Sequence, residues 1–207
     1  MKFKEFANLN KLKHPKIEPK PVRNYDGDYK NLDIAEPSSN SSDETLKELK
    51  KMREMFKNRS SEMEKSIEDH DKNTHYAIVK YLNDNDLKFK KSEMDNVSNV
   101  GYTIVRYYKN KFQRVRPYNL AKAMKMPFDS IPHADATTKS PAYPSGHSLQ
   151  SRLVAEHYAK IYPKHKNNLI KAAEECGLGR VLAGWHYPSD HAASVKLAKQ
   201  IHPNIKV

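Results

Sequence analysis

Apolar residues recur at three- and four-residue intervals along much of this 207-residue chain, and this spacing limits the folds open to it. Within residues 44–72 they include Leu46, Leu49, Met52, Met55 and Phe56. An α-helix turns about 100° per residue, so these side chains share one stripe while the charged residues between them face outward. We find no segment with the alternation typical of a β-strand and no internal repeat. The pattern predicts an all-α helical bundle.

The same periodicity predicts a series of helices along the chain. They cover residues 44–72, 74–87, 94–111, 148–162, 166–184 and 191–201, with one helical turn at 119–125. Ser42 or Asp43 is the expected N-cap of the first helix, and Ser189 or Asp190 that of the last.

Prolines interrupt residues 117–146, which we interpret as a long irregular connection. A loop of this length inside a compact domain is usually functional. We expect it to shape a pocket through Tyr118, Phe128, His133, Asp135 and Tyr143.

Composition divides the chain into an arm and a domain. Residues 1–42 are rich in Lys, Pro, Asn and Ser and are interpreted as an extended basic arm, followed by one all-α domain over residues 43–207. The formal net charge of +12 favours anionic partners: phosphorylated small molecules, lipid surfaces or nucleic acid. The helix predicted at 44–72 is the candidate surface for a homodimer.

The sequence also bears on location and redox chemistry. No run reaches the roughly 18 apolar residues of a membrane span, and residues 1–23 lack the apolar stretch of a secretory signal, so we expect a cytoplasmic protein. The one cysteine, Cys176, excludes an intrachain disulfide. We interpret it as a small buried helix residue, because nothing beside it in the sequence would activate a thiol.

Three short segments suit the binding of an anion. The first, "KNKFQRVRP", places Lys109 near a predicted helix end and Arg116 before Pro117, which forces its predecessor out of helical geometry. Side chains from a helix end and a turn can converge on one anion, arginine through a bidentate fork and lysine as a point charge. Taken alone, basic residues here also fit a simple interaction with the last helix carbonyls.

The second segment, "AYPSGHS", leads directly into a predicted helix. Backbone N–H groups at a helix start bind anions, and Gly146 permits close approach. The Ser145 hydroxyl is a further donor, and His147 is placed for proton transfer. Taken alone, these residues also fit a serine N-cap beside an incidental surface histidine.

The third segment is "RVLAGWHYPSD". On one unbroken helix Arg180 and His186 would face different ways, but Gly184 and Pro188 predict a corner that brings them together. An aspartate such as Asp190 can hold one histidine nitrogen as a donor and leave the other as nucleophile or base. The alternative is that the aspartate only caps a helix and the histidine only packs against its aromatic neighbours.

In order and spacing, the three segments together resemble the phosphatidic acid phosphatase type 2 superfamily. Its pattern is Lys, six residues, Arg-Pro; then Pro-Ser-Gly-His; then Ser-Arg, five residues, His, three residues, Asp. This chain matches it at 109–117, 144–147 and 180–190 and departs from it at Gly179, where the family usually has serine. We expect that departure to alter local packing and leave the chemistry intact.

The resemblance implies a helical, soluble, metal-independent phosphatase that hydrolyses phosphate monoesters, similar to the bacterial class A non-specific acid phosphatases, and phosphotransferase activity is a further activity compatible with it. In the matching roles, His186 attacks phosphorus to form a phosphohistidine, Asp190 orients it, and His147 protonates the leaving oxygen and later activates water. The residues expected to hold the phosphoryl oxygens are Lys109, Arg116, Ser145, Gly146 and Arg180.

The resemblance also implies conditions and ligands. A general acid that starts protonated suggests best activity on the acidic side of neutrality. We expect no cofactor and no metal, since three cationic side chains take a metal's place, although vanadate would fit the phosphate site. The implied substrate is a phosphorylated small molecule or lipid head group, and nucleic acid is disfavoured.

Two alternatives remain open at this point. The superfamily also contains vanadium-dependent haloperoxidases, whose motifs are the same, although they are generally much longer chains. A basic protein that only docks a phosphate group, without turnover, is the other alternative.

Overall fold

A computed structural model describes residues 14, 16–18, 20–132 and 139–207. Within these residues the fold is helical, the extended pairing being one isolated antiparallel bridge, so the predicted all-α class is confirmed. The helices are α1 (Asp43–Phe56), α2 (Ser61–Lys72), α3 (Tyr76–Asp84), α4 (Lys91–Phe112), α5 (Pro117–Ala123), α6 (Gly146–Ile161), α7 (Lys166–Leu182) and α8 (Pro188–Ile201).

Residues 44–72 form two helices, where the sequence predicted one. Ser60 caps α2 by accepting a hydrogen bond from the backbone N–H of Met63, and serine competes with the helical backbone in this way. Beside it, NH1 of Arg59 donates to the carbonyl oxygens of Asp129 and Leu182 at 2.9 and 3.0 Å. These contacts fix the chain at the break between α1 and α2.

The apolar stripe of α1 packs inside the molecule. Leu49 and Met52 are fully buried, and Phe56 meets Phe128 edge to face with ring centroids 4.9 Å apart. The apolar stripe of the α1 part of the expected homodimer surface is therefore turned toward the chain's own core.

The largest core cluster surrounds α6, which packs against α4, α7 and α8. Leu149 and Leu153 of α6 are fully buried there, with Ile104 of α4 and Leu197 of α8. Cys176 of α7 is also fully buried, and burial raises the pKa of its thiol to about 12, which suits the predicted packing role. This core fixes the ends of the helices that carry the three motifs.

The described part of residues 14–42 lies along the helical core. Tyr25 pairs with Ile205 in the antiparallel bridge, and the N–H of Asp26 donates to the Asn204 carbonyl at 2.9 Å. Several apolar residues of this segment pack on the core: Val22, Tyr25, Tyr29, Leu32 and Ile34.

The last helix begins earlier than predicted. Pro188 occupies its first position and Tyr187 its N-cap, while Asp190 lies in the first turn. Proline suits the first helical position because it lacks the N–H that would be unpaired there. Asp190 still helps to cap the helix, since its Oδ2 accepts from the N–H of Tyr187 at 2.9 Å.

Candidate active site

The three sequence motifs meet at one cavity of about 510 Å³. Their lining residues come from the end of α4, the start of α5, the start of α6, the end of α7 and the α7–α8 corner, and they are Lys109, Arg116, Gly146, His147, Arg180 and His186. Ser145 and Asp190, also expected at the site, are fully buried behind the lining.

The corner between α7 and α8 brings Arg180 and His186 together. Gly184 has φ of +81°, a left-handed conformation that favours glycine, and it follows the end of α7. The N–H groups of Trp185 and His186 then turn back to the Arg180 carbonyl at 3.1 and 3.3 Å. The predicted break is therefore a turn closed by backbone hydrogen bonds, and this turn fixes the positions of Arg180 and His186 relative to each other.

His186 is held between a carboxylate and a guanidinium. Its Nδ1 lies 3.2 Å from Oδ2 of Asp190, and its Nε2 lies 2.9 Å from NH1 of Arg116. Arginine can only donate, so we assign the ring proton to Nδ1 and the lone pair to Nε2. Nε2 is the nitrogen that can act as a nucleophile.

The surroundings keep His186 neutral. Burial is the main cause that holds its pKa well below the ordinary histidine value, followed by the positive charges of Arg116, Lys109 and Arg180. Its contact with Asp190 is therefore a hydrogen bond from a neutral ring to a carboxylate.

Asp190 is positioned by a residue that the sequence analysis missed. NH1 of Arg114 donates to Oδ1 of Asp190 at 2.6 Å, and NH2 donates to Oε2 of Glu48 at 2.8 Å. Arg114 is itself buried, with its guanidinium carbon 3.8 Å from the ring centroid of Tyr187. Burial lowers the pKa of Arg114, but interactions with Asp190, Tyr187 and Glu48 together outweigh it and raise the pKa above its ordinary value.

Glu48 ties the first helix to this network. Its Oε1 accepts from the N–H of Ser189 at 2.7 Å, and its Oε2 accepts from the Ser189 hydroxyl at 2.8 Å. A continuous line of polar contacts thus runs from Glu48 on α1 through Arg114 and Asp190 to His186. It fixes the orientation of the histidine ring.

Three buried cations face the cavity. Lys109, Arg116 and Arg180 are 5%, 3% and 2% exposed, respectively. Burial lowers the pKa of Lys109 well below its ordinary value, and Arg116 and Arg180 lower it further against the attraction of Asp190. Burying positive charge in this density is costly without an anion, so the arrangement favours an anionic ligand.

Each cation has a defined support. The Lys109 ammonium donates to the Pro141 carbonyl. Arg116 donates from Nε to the Ser140 carbonyl at 2.9 Å and from NH2 to the Ser140 hydroxyl at 3.1 Å. Arg180 donates to Oδ1 of Asp71 at 2.8 Å and lies over a Trp185 ring with its guanidinium carbon 4.1 Å from the ring centroid.

The start of α6 contributes backbone N–H groups. A Cβ built on Gly146 would have no atom within 3.7 Å, so the glycine leaves open space beside the backbone. Ser145 is the N-cap, and its Oγ accepts from the N–H and hydroxyl of Ser148 at 3.5 and 2.9 Å. Since both lone pairs of the Ser145 oxygen are used in this way, its own proton is left to donate, and its expected phosphate contact stays a prediction.

A second histidine supports this helix start from behind. His191 places Nδ1 3.0 Å from the Ser148 hydroxyl and Nε2 2.9 Å from Oε1 of Glu174. Only a glycine fits beside it, because a Cβ on Gly177 would come within 2.3 Å of Nδ1 of His191. Sequence reasoning gave no role to this histidine, which follows Asp190 directly.

The proline-rich loop contributes differently from what was expected. Its described residues that line the cavity are Lys139 and Ser140. Tyr118 and Phe128 pack in apolar clusters, and the buried Tyr143 donates its hydroxyl to the Ala35 carbonyl at 2.7 Å. His133 and Asp135, which were also expected to help shape the pocket, lie outside the described residues.

Two further properties concern the part of the chain that the structure describes. No group of three or more His, Cys, Asp or Glu side chains there is arranged to hold a metal ion. None of its helices is both long and apolar enough to cross a lipid bilayer.

The model of the PAP2 superfamily, the phosphatidic acid phosphatase type 2 group, matches residues 97–199. The chain contains a PAP2 superfamily domain. Its bounds run from within α4 to within α8 and enclose all three motifs, as the sequence resemblance indicated. Glu48 and Asp71, which contact the motif residues, lie outside the PAP2 match.

One curated relative matches part of this chain. A protein named non-specific acid phosphatase, from Providencia stuartii, is 28% identical over 94 residues. The match covers 45% of this chain and 37% of the relative, so this chain spans well under two thirds of the relative's length.

Proposed function

We propose that this protein is a phosphatase that hydrolyses phosphate monoesters through a phosphohistidine formed on His186. The observation that carries the proposal is the placement of a neutral, oriented histidine in one cavity with three buried cations and a helix start. The similarity to a protein named non-specific acid phosphatase supports the same reaction class.

In the first step the Nε2 lone pair of His186 attacks phosphorus, and the bond between phosphorus and the ester oxygen breaks. His147, half-buried on the cavity wall, gives its proton to that oxygen, and the alcohol leaves. The ring becomes cationic as the P–N bond forms. The Asp190 carboxylate near Nδ1 stabilises that charge.

In the second step a water molecule attacks the phosphohistidine. His147, now neutral, accepts a proton from the water as its oxygen bonds to phosphorus, and the P–N bond breaks. Inorganic phosphate leaves and both histidines return to their starting states. One general acid–base residue thus serves both halves of the cycle.

The cations supply the stabilisation that phosphoryl transfer needs. Charge in the transition state spreads over the equatorial oxygens, and fixed positive groups in a water-poor site stabilise it most. Lys109, Arg116 and Arg180 fill this role in the proposal, together with the Gly146 N–H and the Ser145 hydroxyl. These groups make a metal ion unnecessary in the proposed mechanism.

Arg116 has a second part in the cycle. Its NH1 donates to Nε2 of His186, so this hydrogen bond must be exchanged for one to a phosphoryl oxygen before the attack. The guanidinium of Arg116 thereby places the phosphoryl group next to Nε2 of His186, the atom to which it was hydrogen-bonded before. A lysine at this position would lack the fork that also holds Ser140.

The test is hydrolysis of p-nitrophenyl phosphate by the purified protein, with and without EDTA. The proposal predicts turnover that EDTA leaves unchanged, that vanadate inhibits and that His186→Ala abolishes. Bromide oxidation with vanadate and peroxide, without ester hydrolysis, would instead assign a haloperoxidase. Phosphate binding with no turnover over a panel of esters would assign a binding protein.

A further inference from the structure

The cavity has a buried floor and an exposed rim. The motif cations and His186 form the floor, at 5% exposure or less. The rim includes three residues of the N-terminal segment, Lys16, Ile17 and Glu18, which lie outside the PAP2 match. A leaving group that extends from a phosphoryl group on the floor must pass along this rim.

Helix α4 sets the length of that path. Tyr102, Val105, Arg106 and Lys109 all line the cavity and fall on one helical face. The rise of 1.5 Å per residue places Tyr102 about 10 Å along the axis from Lys109. Tyr102 is 39% exposed, so the face runs from the floor to solvent. The path is long enough for a ring-bearing leaving group.

The N-terminal segment is fixed to the same helix by side-chain hydrogen bonds. Asn110 bonds Ile17 in both directions: its Oδ1 accepts from the Ile17 N–H at 2.8 Å, and its Nδ2 donates to the Ile17 carbonyl at 2.6 Å. Arg106 adds a bond from NH2 to the Glu18 carbonyl at 2.9 Å. Because both backbone groups of Ile17 are paired, the segment offers the cavity an apolar side chain.

We propose that Ile17 is a specificity-determining residue that selects phosphate monoesters whose leaving group carries an apolar ring. The inference rests on the proposed phosphatase function. Ile17 and Val105 supply apolar contact and the Tyr102 ring lies further out along α4, while a small polyol gains little from these surfaces. Ile17 lies outside the PAP2 match, whereas Val105 and Tyr102 lie within it, so the apolar wall that Ile17 forms is contributed by a part of the chain that the PAP2 match does not include.

The experiment compares kcat/KM for 2-naphthyl phosphate and glycerol 2-phosphate in the full chain. We expect Ile17→Ala to lower the naphthyl value about fivefold to tenfold, mainly through KM, with the glycerol value within about twofold. Asn110→Ala removes the hydrogen bonds that hold the backbone of Ile17 but leaves its side chain unchanged. It should also lower the ratio of the naphthyl to the glycerol kcat/KM. Val22→Ala, in the same segment but packed on the core, should leave the ratio unchanged.

Equal losses on both substrates, or no loss on either, would overturn the role of Ile17. If the wild-type protein hydrolyses neither ester, the proposed function fails, and the apolar contact made by Ile17 is then tested by ligand binding. Calorimetry then compares phenylphosphonate with methylphosphonate. A loss of phenylphosphonate affinity in Ile17→Ala, with the methylphosphonate affinity unchanged, would still support the apolar contact made by Ile17. A phenylphosphonate affinity that is the same in the wild type and Ile17→Ala would refute it.

Discussion

NH1 of Arg114 lies 2.6 Å from Oδ1 of Asp190, and this contact joins the proposed catalytic pair to the first helix of the chain. The same guanidinium reaches Glu48, which also holds Ser189. Three groups in a line, Glu48, Arg114 and Asp190, therefore orient the His186 ring, and Glu48 is far along the chain from every motif. The orientation of the proposed nucleophile is thus tied to α1, a helix outside the family match.

Weakening this support should slow chemistry more than binding. We predict that Glu48→Gln lowers kcat about tenfold with little change in KM, because the ring of His186 is held less firmly while the cations remain. The loss of charge beside Arg114 should also cost about 1–2 kcal/mol in the free energy of unfolding. Steady-state kinetics and urea unfolding measure the two effects.

The matched control is Glu54→Gln, which removes a carboxylate from the exposed side of the same helix. It should change neither kcat nor stability by a measurable amount. If Glu48→Gln behaves like this control, the support that we assign to Glu48 does not exist.

Lys109 should not contribute to the stability of the folded state. We predict that Lys109→Met is at least as stable as the wild type at pH 7, within about 1 kcal/mol, because it removes a buried charge beside two arginines. The variant should lose the rise in Tm that inorganic phosphate gives the wild type. Thermal unfolding with and without phosphate tests this, and Lys111→Met, at an exposed position of α4, should keep the full phosphate effect.

The stability difference between these two proteins should depend on pH. The pKa of Lys109 is lowered in the folded state, so between that pKa and the ordinary value of 10.5 the unfolded chain binds more protons. The cost of the buried charge is therefore fully present below the folded-state pKa and falls as the pH rises from there toward 10.5. We predict that wild type gains stability relative to Lys109→Met over this range, and a constant difference would contradict the lowered pKa.

Two neighbouring glycines of α7 should respond differently to alanine. A Cβ at Gly177 would lie 2.3 Å from Nδ1 of His191, whereas one at Gly179 would lie 3.3 Å from Cγ1 of Ile67. We predict that Gly177→Ala displaces His191 and destabilises the protein by about 1–3 kcal/mol despite alanine's better helix propensity. Gly179→Ala, at the position where the family usually has serine, should be within about 1 kcal/mol of wild type and remain active. Equal effects at the two sites, measured by urea unfolding, would contradict the close packing on His191.

The sequence predicted what is encoded locally. Apolar spacing predicted the helices, apart from the break between α1 and α2. Gly184 with Pro188 predicted the corner that joins Arg180 to His186, since a break in a helix depends on adjacent residues. The start of α8 was misplaced by two to three residues, because Pro188 itself is the first helical position.

The supporting residues were not predictable in the same way. Glu48 and Asp71 lie on charged helices, where a carboxylate that reaches a buried arginine has the same sequence signature as a solvated one. Ile17 lies in a basic, proline-rich stretch without periodicity, and its place at the cavity depends on a tertiary contact with Asn110. Among these supporting residues, only Arg114 could have been suspected from the sequence, because it lies two residues before Arg116 in the first motif.

The central claim is that His186 carries the phosphoryl group, and trapping that group tests it most directly. His147→Ala should still be phosphorylated by p-nitrophenyl phosphate, whose leaving group needs no acid, but should release phosphate slowly, so the intermediate accumulates. After alkaline quench and proteolysis, mass spectrometry should find one acid-labile phosphoryl group on the peptide containing His186, absent from His186→Ala. A phosphoryl group on another residue, or acid-labile labelling of His186→Ala, would contradict the account.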